Sequence, residues 1–191
     1  MTVFLTTPRV RLRRFTTDDA DLLHALDNDP AVMRYINGGL PVAREEIVDD
    51  VIPAFLRWYA RHPAYGFWAA EEREGGRFLG WFHYRPGEDG DPRDPELGYR
   101  LHEAAWGQGY ATEVSRALID NGFSAHDVER VHAETMVVNV ASRRVMEKAG
   151  MRLVRTFHAD WPVRIDGDEH GDVEYAITRA EWQARQPLRQ P

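Results

Sequence analysis

Cysteine is absent from this chain of 191 residues. Its absence excludes disulfides, thiolate metal sites and any thioester formed on the protein itself. It suits a reducing compartment, and the cytoplasm is the expected location. Long apolar runs are missing too. Nothing approaches the roughly 18 consecutive apolar residues that span a bilayer, and Met1 to Pro8 holds no apolar core of signal-peptide length. No membrane partner is expected. Positive charge is in deficit, with 24 Lys and Arg against 31 Asp and Glu and a formal charge of −7. Binding to nucleic acid depends on phosphate neutralisation, so such a partner is not expected, and a cationic amine is the better match. Repeats and low-complexity segments are lacking as well. Apolar residues make up 43%, with six Trp, eight Phe and seven Tyr. That is ample for a core, and the length suits one domain over residues 1–191.

Strand and helix patterns interleave along the chain. Val10, Leu12 and Phe15 alternate with Arg9, Arg11 and Arg13, a strand with one basic, solvated face. Thr16 or Thr17 caps a helix that opens on Asp18, Asp19 and Asp21 and closes at Asp29-Pro30. Arg44 to Arg61 reads as helical, with Pro53 expected to kink or split it. Tyr65 to Glu71 and Arg77 to Tyr84 flank Glu74-Gly75-Gly76, a hairpin signal. Further strands are expected over 96–101, 130–137, 151–157 and 173–177, with helices over 111–123 and 140–149, the latter stopped by Gly150. Thr178 and Glu181 form a capping box for a terminal helix, and the tail over 185–191 should fray. The pattern predicts an α/β (α+β) fold with one central mixed sheet and helices on both faces.

The turn Trp106-Gly107-Gln108-Gly109-Tyr110-Ala111-Thr112 joins a strand to a helix. Bare backbone amides and the positive end of a helix dipole converge there, which suits a phosphate. No Lys follows Gly109, so it is not a P-loop, and the spacing does not match the dinucleotide fingerprint. The turn alone is equally consistent with two glycines that only permit a sharp bend.

Taken together, Glu96-Leu97-Gly98-Tyr99-Arg100-Leu101, the turn, and Asn139 to Met151 resemble the GNAT superfamily of acetyl-CoA-dependent N-acetyltransferases, and most closely its RimJ/RimL-like branch. Thr7 to Arg13, Asp29-Pro30-Ala31-Val32-Met33 and Tyr175-Ala176-Ile177 extend the likeness over nearly the whole chain. The resemblance implies a mostly antiparallel sheet splayed between its fourth and fifth strands. It implies acetyl-CoA as co-substrate, an amine acceptor that is a peptide N-terminus or a small molecule, and a monomer or homodimer. Its cofactor motif Gln/Arg-x-x-Gly-x-Gly/Ala falls on Trp106, Gly109 and Ala111, with Trp106 departing from the usual residue. The amides of Gln108 to Thr112, including Tyr110, would hold the pyrophosphate. The backbone of Tyr99, Arg100 and Leu101 would pair with the pantetheine arm, and Asn139 would meet that arm or cap its helix. Arg143, Arg144 or Lys148 would meet the 3′-phosphate or remain solvated.

Acetyl transfer to an amine requires loss of an ammonium proton, stabilisation of the carbonyl oxygen and protonation of the thiolate. Glu96 is the first candidate base, ahead of Glu134 and His132, and a surface carboxylate is its plain alternative. Met146 occupies the place of the superfamily's usual acidic Tyr. Ser142 is therefore the candidate acid, or else part of the helix cap. The departures at Trp106 and Met146 leave a non-catalytic acyl-CoA-binding module as the other reading. Asp27, Asp29, Tyr35, Glu45, Glu46, Trp58, Asp160 and Trp161 are expected near the acceptor entrance. The acidic stretch Asp166 to Gly171 lacks a closing Glu at Ile177, so no metal is expected.

Overall fold

The computed structural model describes residues 2–87, 90–161 and 164–185. Eight strands form one sheet: β1 (Val3–Thr6), β2 (Val10–Arg14), β3 (Gly66–Glu72), β4 (Phe78–Arg85), β5 (Glu96–Leu101), β6 (Arg130–Met136), β7 (Arg152–Phe157) and β8 (Asp172–Thr178). Their spatial order is β1-β2-β3-β4-β5-β6-β8-β7. Every neighbouring pair is antiparallel except β5 and β6, which are parallel and share the single register pair Glu96↔His132. Past that pair the two strands part, and the sheet is open on the Leu101 side of Glu96. The splay therefore falls between the fifth and sixth strands. The count differs from expectation by β1, a four-residue edge strand that carries no alternation and is anchored by Phe4 stacked on Trp68, centroids 3.9 Å apart.

Helices cover both faces. α1 (Ala20–Asp27) and α2 (Pro30–Met33) follow a short 3-10 turn, Thr17–Asp19. Over 44–61 the chain stays helical through α3 (Arg44–Glu46), a π-helical turn (Ile47–Val51) and α4 (Ile52–Arg61). Pro53 does not end the helical run, but a π-helical turn interrupts it just before that residue. The residue sits in the first turn of α4, where its missing N–H is tolerated, and the widened turn before it absorbs the misfit. Phe15, Leu23, Leu26, Ile47, Ile52, Phe55, Ala69 and Trp81 pack together on this side. On the other side α5 (Tyr110–Ala125) and α6 (Val140–Ala149) join Leu12, Trp68, Phe82, Leu97 and Leu101 in a second core. α7 (Arg179–Arg185) begins with the expected box, in which Thr178 N donates to Glu181 Oε2 at 3.0 Å. The tail beyond Arg185 lies outside the described residues.

Arg13 overturns the reading of β2 as having a solvated basic face. Its side chain is 4% exposed and donates to Asp19 at 2.7 and 2.8 Å and to Glu71 at 2.7 Å. β2 is paired on both edges and is covered at Arg13 though not at Arg11, which is 34% exposed, so the cation at 13 must enter with its carboxylates.

Candidate active site

After β5 a 3-10 turn, Glu103–Ala105, leads into residues 106–109 and then α5. Gly107 and Gly109 have φ of +71° and +84°, the left-handed region that favours glycine. The first intrahelical bond is Glu113 N to Gly109 O at 3.0 Å, so the amides of Tyr110, Ala111 and Thr112 have no helical acceptor. These three residues, with Trp106, Gly107 and Gly109, line one end of a cavity of about 950 Å³. Gln108, expected among them, does not line it. Its Nε2 donates to Ala104 O at 2.6 Å and its carbonyl accepts from Arg9 Nη1 at 2.9 Å. Arg9 also pairs with Glu113 at 2.6 Å, which neutralises the carboxylate nearest the turn.

β5 forms the wall of the cavity. His102 N donates to Leu79 O at 2.9 Å, continuing the register that pairs Leu101 with Gly80. In an antiparallel ladder this directs the backbone groups of Glu96, Gly98 and Arg100 to β4, and those of Leu97, Tyr99 and Leu101 to the open side. The indole of Trp106 donates to Leu101 O at 2.8 Å, bracing the end of the strand. The Arg100 side chain is turned away to Asp27 at 2.5 Å.

Across the opening, Asn139 Oδ1 accepts from Ser142 N at 3.2 Å, and its Nδ2 donates to Thr135 at 3.1 Å. Asn139 is thus the cap of α6 and also lines the cavity. Tyr99 reaches over from β5 to place its hydroxyl 3.0 Å from Ser142 Oγ. Burial pushes the phenol up to about 12, against the lowering effect of Ser142. Arg143 faces away from the cavity, bonded to Val137 O at 3.0 Å and Tyr175 at 3.3 Å, while Arg144 and Lys148 line it. One residue is about 100° of helix rotation, enough to exchange the two arginines.

The far end of the cavity is acidic and aromatic. Glu96, Glu134 and Asp172 line it with Tyr35, Trp81, His83, Phe157 and Trp161. Burial pushes the Glu96 carboxyl up, but His83, Arg85 and His132 together hold it at about 2. Burial, Glu96 and Glu174 push Glu134 up. His132 does not reach the cavity and is held by Asp94 at 2.9 Å. Of the residues expected at the entrance, Tyr35 and Trp161 are there. Asp27 is occupied by Arg100, Asp29 caps α2, and Trp58 lies under Arg61 and Arg85.

This geometry coincides with a family match. The family model of the acetyltransferase (GNAT) domain matches residues 9–152. The chain belongs to the GNAT family. It is an N-acetyltransferase by that membership, and acetyl-CoA is the family's co-substrate. An FsC-acetyl coenzyme A-N(2)-transacetylase of Aspergillus fumigatus is 32% identical over 184 residues, covering 93% of this chain and 77% of that protein. The fold is shared with RimL, a ribosomal-protein acetyltransferase solved with coenzyme A, at a TM-score of 0.75 and 19% identity over 92% of this chain and 97% of RimL. It is shared with a spermidine N-acetyltransferase of Vibrio cholerae, solved with CoA and spermine, at a TM-score of 0.71 and 14% identity over 91% of this chain and 98% of that one.

Several GNAT-site features carry no signal in sequence spacing. The Tyr99–Ser142 contact, the Trp106 brace and the approach of His83 to Glu96 all join residues distant along the chain or on different strands. Arg9 at the turn was visible only as one member of an alternating basic strand.

Proposed function

We propose that this chain transfers the acetyl group of acetyl-CoA to a cationic primary amine by direct attack in a ternary complex. The observation that carries the reading is a single cavity with free helix amides at one end and carboxylates among aromatics at the other. The amides of Tyr110, Ala111 and Thr112 hold the pyrophosphate, and the open edge of β5 at Tyr99 and Leu101 pairs with the pantetheine amides. Arg144 and Lys148 are placed to meet the 3′-phosphate. The Leu101 amide, on the open side, serves as donor to the carbonyl oxygen as charge develops there. The Tyr99–Ser142 hydroxyl pair supplies the proton that the departing sulfur takes up. Glu96 and Glu134 attract the ammonium, and Trp81, Trp161 and Tyr35 offer ring faces to it.

The relatives act on amines carried by unlike molecules, from spermidine to a ribosomal protein. The acidic, aromatic end of this cavity favours a compact cationic acceptor. The test is acetyl-CoA-dependent release of free thiol across a panel of polyamines, amino-sugar amines and N-terminal peptides. Amine-dependent release is expected. Acetyl-CoA binding with no thiol release on any amine would instead establish a non-catalytic acyl-CoA-binding module.

A further inference from the structure

His83 lines the acceptor end of the cavity, and its ring is held from several sides. Trp81 lies against it at 5.9 Å between centroids and Phe67 meets it edge-on at 5.5 Å. Its cross-strand partner is Gly98. A Cβ on Gly98 would stand 2.6 Å from both Cε1 and Nε2 of the imidazole. Gly98 has no positive φ, so it is the missing side chain, not backbone freedom, that this position uses. The His83 side chain is 12% exposed. Its Nε2 is buried and has no hydrogen-bond partner among the described residues. It stands 3.6 Å from Glu96 Oε1. That gap is too wide for a direct hydrogen bond. The unpartnered nitrogen and the carboxylate are close enough for two of the three N–H donors of one ammonium.

We infer that His83 is the group that takes the proton from the bound ammonium, with Glu96 holding the cation beside it. The inference rests on the transferase reading. One N–H of the ammonium points to Glu96 Oε1 and another to His83 Nε2. The proton passes to Nε2 and leaves a lone pair on nitrogen. That pair forms the C–N bond, the C–S bond breaks, and the electron pair goes to sulfur. Nitrogen sheds two protons between ammonium and amide. Both leave in turn through His83 to solvent, and the Tyr99–Ser142 pair, having given one proton to sulfur, regains one from solvent, so one proton is released overall. Glu96 also answers to Arg85, 3.9 Å away, and serves as the fixed negative charge that holds the cation. The charged group against the ring is Glu96, with Arg85 beside the same carboxylate.

The test uses the full chain and an amine that supports turnover. His83→Ala is expected to lower kcat/KM by about 10²–10³ and to change the shape of its pH profile. Acetyl-CoA affinity is expected to stay at the wild-type value. Added imidazole restores part of the rate, and an acceptor amine of low pKa shows a smaller defect. Gly98→Ala, which displaces the ring without removing it, lowers kcat more than it raises the acceptor KM. A His83→Ala protein within about threefold of wild type with an unmoved profile overturns the inference alone. So does a parallel loss of acetyl-CoA binding with no imidazole rescue, since the ring would then be structural. A wild-type protein that releases no thiol with any amine overturns the transferase reading, and this inference with it.

Discussion

Replacing Gly109 separates the shape of the turn from its charge. Gly109 holds φ at +84°, and an L-residue in the left-handed region is destabilised by roughly 1–2 kcal/mol. Space is not limiting, because the Cβ of Gly109→Ala would meet only Arg9 Nη2, at 3.5 Å. The strain emerges in one of two places. If the free protein keeps the turn, folding stability falls by about 1–2 kcal/mol. If the turn relaxes without ligand, stability is spared and acetyl-CoA affinity falls by a factor of about 5–30. The sum of the two losses is the same in either case. Gly109→Glu adds a carboxylate where the proposed mechanism seats the diphosphate. Two like charges about 4 Å apart near a protein surface repel by about 4 kcal/mol, so Gly109→Glu should bind far more weakly than Gly109→Ala. The gap between the two variants should narrow as salt rises. Calorimetric titration with acetyl-CoA and urea denaturation, each at low and high salt, measure all the quantities required. Wild-type affinity in Gly109→Glu would refute phosphate binding at this turn.

Asp19→Ala leaves Arg13 buried without its bidentate partner and should cost about 3–5 kcal/mol in urea denaturation. Arg13 and Thr16 hold the Asp19 carboxyl below its ordinary value despite burial. Its contribution is therefore present above the unfolded value near 4 and lost as pH falls below it, so the stability gap between wild type and Asp19→Asn should be level through neutrality and close in acid. Ser142→Ala and Tyr99→Phe should each slow turnover by about 10²-fold, with the double variant little worse than the slower single, because one hydroxyl pair delivers one proton. Additive losses in kcat would show two independent roles. Arg144→Ala and Lys148→Ala should erode the preference for acetyl-CoA over its 3′-dephospho form, while Arg143→Ala should leave that preference intact. The comparison of the two donors by titration decides it.

Much of the donor half was legible in the sequence because local rules write it there. Glycines mark the left-handed positions before α5, Asn139 marks the cap of α6, and Gly150, at φ +98°, marks its end. The azimuth of α6 was less legible. Its polar residues run consecutively through Ser142, Arg143 and Arg144, and only the packing of Met146 and Ala149 against the core settles which arginine meets the cavity. Arg13 was misread because alternation shows which residues share a face, not whether another layer covers that face. β1 escaped because four residues at an edge give too short a pattern to read. The acceptor half depends on contacts between β4, β5 and β6 that local sequence does not encode. His83 and Glu96 are thirteen positions apart and meet only through the β4–β5 register.

That register gives the proposed mechanism a strand with two unlike faces. Successive side chains on β5 point to opposite faces. Leu97 and Leu101 enter the core beneath α5, and Tyr99 on the same face reaches Ser142 of α6. Glu96, Gly98 and Arg100 lie on the face of Trp81 and His83, where α1 supplies Asp27. On the proposed mechanism the odd positions serve the thioester and its departing sulfur, and the even positions the amine. A slip of one residue would send Glu96 into the apolar core and Leu97 to the acceptor. Gly98 is the point of least tolerance, because a side chain there would strike the imidazole from the β5 side. The proposed transfer is therefore divided by the pleat of a single strand, and the splay beside it is the route by which both substrates would reach that strand.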